Sequence, residues 1–542
     1  MSPLRDNPLL RLAFGFAAGV AIADVLQRLC QPLADSAFVW FAAVSLLLAV
    51  GVEWGIRRRR RGETHRSFLF RRPLIGSLLL LLSVVALGGW RYQTVRDRVV
   101  VTWPAEAVDG RAVIRGGPVC RQRSVRYLLD VNGHRLYGYL FGSDEHDSWA
   151  WGDTLLLEGV TIRPPMNFSD SLTFDYARWL YSQRISGTAM IPAAKATRLP
   201  LVPQATTVAS VIPSIMRLRG RVTGWLRSRY AAAGLPDDVL GIVEALSLGD
   251  KSALGDDVRD AYADAGASHM LALSGLHVGV LYMLLTMTFG LLFHSRIGRR
   301  LCGLLAVGLL WAFTLLADFP PSLVRAVTMF TVYAVVALLS GDRSPLSALA
   351  LTALVMVGIQ PFLLFDVGFQ LSFASMLSIL LLMPQWEALH VHMPLLGRSR
   401  LLAAPVAVVF VSMAAQVGVA PLVLHYFGRF PTYFLVTNMV IQPLFYVVMT
   451  LIVVWIALSW TPLAPFLTGL LVYAVRGMNS LLAAIAQWPG STLDVIHFTL
   501  LDALLLWLTF YFLLRYLIKR HLPSAILALA SIALLLLSRL FS

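Results

Sequence analysis

The sequence predicts a polytopic α-helical membrane protein of about 13 transmembrane helices, with a small β-barrel inserted after the third. Three observations carry this. The 542 residues are 57% hydrophobic and only 14% charged, with a mean hydropathy of +0.70; soluble globular chains of this size do not look like that. Apolar runs long enough to cross a bilayer recur along the chain. Between residues 91 and 203 the runs shorten and alternate, with Gly, Pro and Asp between them, which is the period of strands.

Taken in order, the apolar runs are 8–29, 37–56, 73–90, 270–293, 301–318, 322–340, 345–360, 366–384, 402–424, 432–457, 461–484, 499–518 and 523–541. The first is too long for the core of a secretory signal and has no small-residue cleavage site, so it reads as a retained helix. The net charge of +15 lies largely in short loops. Residues 57–72 hold eight arginines against one glutamate, the mark of a cytoplasmic loop under the positive-inside rule. With that loop inside, the N-terminus is inside and the region after Trp90 outside. The basic loops 294–300, 341–344, 385–401 and 515–521 then fall inside, and the C-terminus outside. Cys30, Cys120 and Cys302 have no metal-site spacing, and no cofactor is expected.

In the insert, strands are expected at 109–117, 124–131, 134–141, 153–163 and 186–198, with Asn132-Gly133 as a two-residue hairpin turn. Five short strands suggest an OB-like barrel. A helical stretch at 174–183 follows the fourth strand, whereas the usual helix of that fold lies between the third and fourth. Arg111, Arg115, Arg121, Arg123 and Arg126 precede Tyr127, Tyr137, Tyr139 and Phe141, a mixture that tracks single-stranded nucleic acid. The same residues also fit a barrel core and a solvated face, because 91–200 hold 14 Lys and Arg against 11 Asp and Glu.

Residues 205–232 alternate apolar and basic groups, as an interfacial helix does. Arg217, Arg219, Arg221, Arg227 and Arg229 are its cations; they fit either a nucleic-acid entrance or lipid headgroups. Asp256, Asp260 and Asp264 share one helical face, more simply a solvated stripe than a metal site. DAGASHMLALSGLHVG (264–279) is the most informative segment. A polar, Gly-interrupted entry to a membrane helix frees backbone groups that must find partners inside the protein. Ser268, His269, Ser274 and His277 are the polar side chains there, and Gly275 and Gly279 form a small-xxx-small pair expected to let helices approach. Ser274 and His277 can also be imagined as nucleophile and base, although no third member or oxyanion device accompanies them.

Several motifs in order resemble those of the competence (ComEC-like) DNA-uptake channel family. They are EALSLGDKSAL (244–254), HMLALSGLHVG (269–279), PPSLVRAVTM (320–329) and DVGFQLSFAS (366–375), with Pro421, Asn438 and Pro443 later. NFSDSLTFDYARWL (167–180) resembles a degraded Asn-Pro-Gly-x-Phe-Asp-Tyr element, with Phe168 in place of the proline. The resemblance implies an inner-membrane channel for one strand of transforming DNA, with an OB-type domain outside the membrane. It also implies a periplasmic DNA receptor, a separate nuclease and a cytoplasmic helicase-type motor as partners. The His-x-His-x-Asp-His motif of the metallo-β-lactamase-like domain that many such proteins carry is missing, so nuclease activity is not expected.

The domains read as 1–90 (three membrane helices), 91–203 (OB-like), 204–266 (interfacial helices and polar linker) and 267–542 (channel). A polyanion needs a hydrated path through lipid, lined by groups that bind weakly enough for it to keep moving. Candidates for that path are Ser268, His269, Ser274, His277, Ser322, Arg325, Asp366, Gln370, Ser372, Gln416 and Asn438. Arg115, Arg121, Arg123, Arg126, Arg217 and Arg221 are candidates for the entrance. A buried Arg325 needs a counter-charge, and Asp318 or Asp366 is expected to supply it. The same polar groups can instead simply hold helices together, and a membrane-embedded hydrolase or a small-solute transporter is the rival function.

Overall fold

The computed structural model describes residues 7–29, 38, 40–48, 72–104, 106–121, 124–142, 149, 151–167, 174–199, 211–292, 295–339, 344–390, 400–495 and 497–540. The basic loop expected at 57–72 lies outside them but for Arg72, as do most of 341–344 and 385–401 and the Phe168 position of the degraded motif. The chain divides into two compact units, Met1–Arg217 with Leu346–Asp366 and Leu218–Pro345 with Val367–Ser542.

The first unit begins with two apolar helices, α1 (Pro8–Leu29) and α2 (Arg72–Val99), packed along each other. Their backbones touch, because a Cβ added at Gly19 would collide with the Val85 carbonyl oxygen and one at Gly88 with that of Phe16. Strands β1 (Val108–Arg121), β2 (Ser124–Val131) and β3 (His134–Phe141) follow as an antiparallel meander. Asn132 and Gly133 turn from β2 into β3 with φ of 52° and 83°, the double positive φ that a tight hairpin requires. Then come β4 (Thr154–Val160), β5 (Ile162–Arg163), α3 (Tyr176–Ser182), β6 (Ile185–Pro192) and β7 (Ala196–Leu199).

The strand order is β5-β6-β3-β2-β1-β4-β7, and β3 with β6 is the parallel pair. The described strands of this unit form one seven-stranded sheet in place of the five strands expected. Two of the expected strands divide: β4 pairs with β1 and β7, whereas β5, one residue later, pairs with β6. Alternate residues form the core, among them Ile114, Tyr127, Leu129, Leu136, Leu140, Leu155 and Ile191.

The second unit is helical. It runs through α4 (Val211–Ala232, from Leu218 onward), α5 (Asp237–Leu248), α6 (Asp256–Asp264), α7 (Ser268–Leu271), α8 (Gly275–Leu292), α9 (Arg296–Leu316) and α10 (Pro321–Leu339). Helix α11 (Pro345–Ile359) belongs almost wholly to the first unit. The second unit resumes with α12 (Val367–His390), α13 (Arg400–Phe427), β8 (Arg429–Pro431), α14 (Phe434–Leu458), α15 (Ala464–Ala486), β9 (Thr492–Asp494), α16 (Leu500–Lys519) and α17 (Leu522–Leu540). Its core packs Leu471, Val475, Met478 and Leu482 of α15 on Ile441, Phe445, Val448 and Ile452 of α14 and on Val239, Ile242 and Leu246 of α5. The outer helices expose leucines, Leu529, Leu536 and Leu540 of α17 among them, as lipid-facing helices do.

Thirteen crossings are not what the described residues present. Eight helices are long and apolar enough to cross a membrane, and four shorter apolar helices accompany them: Gly275–Leu291, Cys302–Leu316, Pro321–Val336 and Pro345–Ile359. The expected run at 270–293 shortens because its first turn is a separate helix, α7. Of the expected 37–56 only 38 and 40–48 are described.

Candidate functional site

The chain breaks between α7 and α8, at Ala272–Ser274. Both kinds of freed backbone group find side-chain partners there. The Leu273 carbonyl accepts a hydrogen bond from Ser322 Oγ of α10. The Ser274 N–H donates to His277 Nδ1 at 3.1 Å, and Ser274 Oγ accepts from the Leu276 N–H at 3.3 Å. This is a capping box: the N-cap hydroxyl covers one free donor of the helix while the third helical residue reaches back to the N-cap N–H. A neutral imidazole does here what a glutamate does in water, and so avoids burying a charge in lipid.

The bond to Nδ1 fixes the tautomer, with the ring proton on Nε2. His277 is 0% exposed, its ring lies edge-on to Phe445 of α14 with centroids 4.9 Å apart, and Nε2 makes no hydrogen bond. The loop between α5 and α6 also reaches this place. A Cβ on Gly249 would press on Leu273 Cδ1 at 2.8 Å, and Lys251 stands within electrostatic reach of His277. The loop is pinned by Arg227 on Asp250 and by Arg259 Nη2 on the Lys251 carbonyl. Lys251 carries no feature in the sequence that marks it beyond its place in the 244–254 motif.

Other expected residues lie on the surrounding helices. Arg325 is 6% exposed on α10, three residues after Ser322. Asp318, one of the two acids expected to balance it, pairs instead with Arg219 Nη1 at 3.3 Å. Asn438 lies on α14, two turns before Phe445 and so on the same face. Its Nδ2 donates to Ser412 Oγ of α13 at 3.2 Å. Gln416 is one turn beyond Ser412. Gln370 of α12 accepts from Tyr426 Oη at 2.8 Å, and Ser372 is half-buried on the same helix. Phe369 and Phe373 stack on each other, centroids 4.2 Å apart. Among the described residues, Gln416 Oε1, Thr437 Oγ1 and Asn438 Oδ1 share with His277 Nε2 the property of being buried without a hydrogen bond. Thr437 and Ser412 escaped sequence reasoning; the neighbouring Asn438 and Gln416 were their signal.

Some candidates lie elsewhere. Ser268 and His269 are exposed on α7. Asp366 is buried after the 3-10 turn Pro361–Phe365 of the first unit. The two glycines do not act as expected. A Cβ on Gly279 would meet nothing within 4 Å, and one on Gly275 only Ala326 Cβ at 3.8 Å. The tight crossing is at Gly418 of α13, where a Cβ would collide with the Ala374 carbonyl oxygen of α12.

In the sheet, Arg115 pairs with Asp130 at 3.3 Å and lies over Trp151. Arg126 lies over Tyr137, 4.5 Å from the ring centre, and opposite Tyr139 in the register. Tyr176 of α3 bonds to Tyr139 and stacks on Trp179 at 5.6 Å. Burial, then the Tyr139 bond, pushes the Tyr176 phenol up to about 12. Arg121 ends β1, Arg123 lies outside the described residues, and Arg217 and Arg221 are exposed on α4.

Against known proteins, residues 246–520 match the family described as Competence protein. The chain is similar to ComE operon protein 3 of Bacillus subtilis, 29% identical over 285 residues, which are 53% of this chain and 33% of that one. It is also similar to Competence protein ComA of Neisseria gonorrhoeae, 25% identical over 205 residues, 36% of this chain and 28% of that one. The chain thus spans about a third of the length of these relatives. No solved structure matches it.

Proposed function

We propose, since this chain belongs to the competence protein family, that it is a channel admitting single-stranded transforming DNA to the cytoplasm. The observation that carries this reading is the set of buried polar atoms without hydrogen bonds at His277, Gln416, Thr437 and Asn438, all within the family-matched residues. An unsatisfied polar atom in an apolar interior costs about 1–3 kcal/mol. Such groups persist where they meet a hydrated passenger. Arg325 is the one buried cation among the path candidates and these four groups are neutral, so a phosphate chain would be held weakly and released, whereas a row of cations would trap it.

The sheet supports an entrance. The β1-β2-β3 meander, the parallel β3–β6 pair and the single residue separating β4 from β5 at opposite positions of the sheet fit an OB-like barrel. Its β2-β3 face carries Arg126, Tyr137 and Tyr139, next to Tyr176, a stacking platform of the kind single strands use. In this reading the protein sits in the inner membrane with the N-terminus inside and the sheet outside. Its partners are a DNA receptor, a separate nuclease and a cytoplasmic motor. The hydrolase rival has one contact in its favour, Ser274 Oγ 3.2 Å from His277 Nδ1, but that nitrogen's single lone pair is shared with the Ser274 N–H at 3.1 Å, and among the described residues no third member or oxyanion device accompanies the pair.

The test is a transformation assay on a deletion strain complemented with Asn438→Leu or wild type. Uptake into the cytoplasm should fail in the deletion and in the variant while DNA still reaches the periplasm. Normal transformation without the gene refutes the reading. Purified protein should also bind single-stranded DNA with an affinity that falls as salt rises.

A further inference from the structure

A second polar site lies wholly within the first unit. A cavity of about 410 Å³ opens between the last turns of α1 and α2, helix α3 and the turn Pro361–Phe365. Its lining includes Asp24, Arg28, Arg96, Asp175 and Arg178, so three guanidiniums face two carboxylates. Asp24, on an apolar helix and 5% exposed, is fully engaged. It accepts from Tyr92 Oη at 2.7 Å and from Arg178, and Arg28 Nε stands 3.3 Å away. Arg28 bridges the two acids, its Nη2 donating to Asp175 Oδ2 at 3.4 Å, but the other two guanidiniums are less well served. Arg96 has its carboxylate, Asp97, 3.8 Å away, and Arg178 Nε is buried with no hydrogen bond, 3.6 Å from Asp175.

We propose that this cavity binds the phosphate headgroup of an anionic phospholipid. Its volume falls in the range of small-ligand sites, with room for a phosphodiester and a glycerol. Its level is that of headgroups, because it sits where two apolar helices end and polar structure begins. Tyr92, Tyr181 and Phe362 form its aromatic wall, with ring centroids 5.2 and 5.8 Å apart. Rings of this kind gather at the membrane interface. On α1, beside Asp24 and Arg28, Ile22, Val25 and Leu29 are exposed, a surface along which acyl chains can lie. Arg178, Arg28 and Asp24 hold the walls, and Arg96, with its carboxylate 3.8 Å away, is the cation best placed to turn to a phosphate, followed by Arg28. This site is independent of the DNA reading.

The test uses the full chain in a neutral detergent, with phosphatidylglycerol and phosphatidylcholine as probes, read by native mass spectrometry and by Tm. Phosphatidylglycerol should bind and raise Tm, phosphatidylcholine should not, and R28Q/R96Q, measured against its own lipid-free Tm, should weaken phosphatidylglycerol binding at least tenfold. R111Q, on the sheet, should bind like wild type. Equal binding of both lipids, or undiminished binding by R28Q/R96Q, overturns the proposal. So does equal loss in R111Q, which would mean bulk charge. Displacement by inorganic phosphate at matched concentration would point to a free-anion site, and displacement by a short single-stranded oligonucleotide to a DNA contact; either outcome also overturns it.

Discussion

Asp24 in the first unit and His277 in the second are almost equally inaccessible, yet they are served very differently. Asp24 has Tyr92, Arg178 and Arg28 around it. His277 is met on one nitrogen by Ser274 and on the other by no hydrogen bond. A buried charge must be compensated almost completely or it is not tolerated. A neutral group can be left half-served at modest cost. The charged cluster therefore holds two apolar helices to the following domain, and the neutral one retains an open hydrogen-bonding position.

The contrast breaks most visibly at Asp24. Asp24→Ala removes the buried carboxylate that Arg178 and Arg28 share, leaving them Asp175, and should cost about 3 kcal/mol, seen as a large fall in Tm of the detergent-solubilised protein. Asp24→Leu with Arg178→Met should recover most of that loss. A small effect from Asp24→Ala alone would mean that the cluster bears little of the unit's stability.

At the break the expected loss is smaller. His277→Ala leaves the Ser274 N–H without its acceptor and should cost about 1–3 kcal/mol. His277→Gln keeps an acceptor within reach and should restore Tm. If Gln is no better than Ala, the capping geometry is not what holds the break.

Asn438→Leu sharpens the comparison from the other side. It removes an unsatisfied buried oxygen and one bond to Ser412. Tm should therefore move by less than about 1 kcal/mol equivalent, while transformation falls at least tenfold. A variant that transforms normally removes Asn438 from the path.

The smallest effect is a pH dependence in the sheet unit. The Tyr176 phenol is raised to about 12 from the ordinary 10.0. Folding therefore favours its neutral form, and the stability this adds is intact below pH 10 and lost as pH rises toward 12. Tm of Tyr176→Phe should fall less steeply over that window than Tm of wild type.

Much of this was legible beforehand. Hydropathy located the apolar helices, alternation and Asn132-Gly133 located the meander, and the Gly-interrupted polar entry located the break. Pairings across long stretches of chain were not legible. Asp24 and Arg178 are 154 residues apart and Gln370 and Tyr426 are 56 apart, and no local pattern links them. Of the two acids expected beside Arg325, Asp318 shows the same limit: it lies close in sequence, but its ion pair is with Arg219, which arrives from another helix. Spacing also misassigned the tight crossing. Gly275 and Gly279 have the interval of a packing motif, but only the neighbouring helix decides which glycine is touched, and that glycine is Gly418.

The meeting of Gly418 with the Ala374 carbonyl has a mechanical consequence. Where main chain abuts main chain there is no side-chain cushion to compress, so α12 and α13 cannot slide closer or ratchet past one another at that level. If they part, they scissor about this pivot, and the gap between them opens widest at the ends farthest from it.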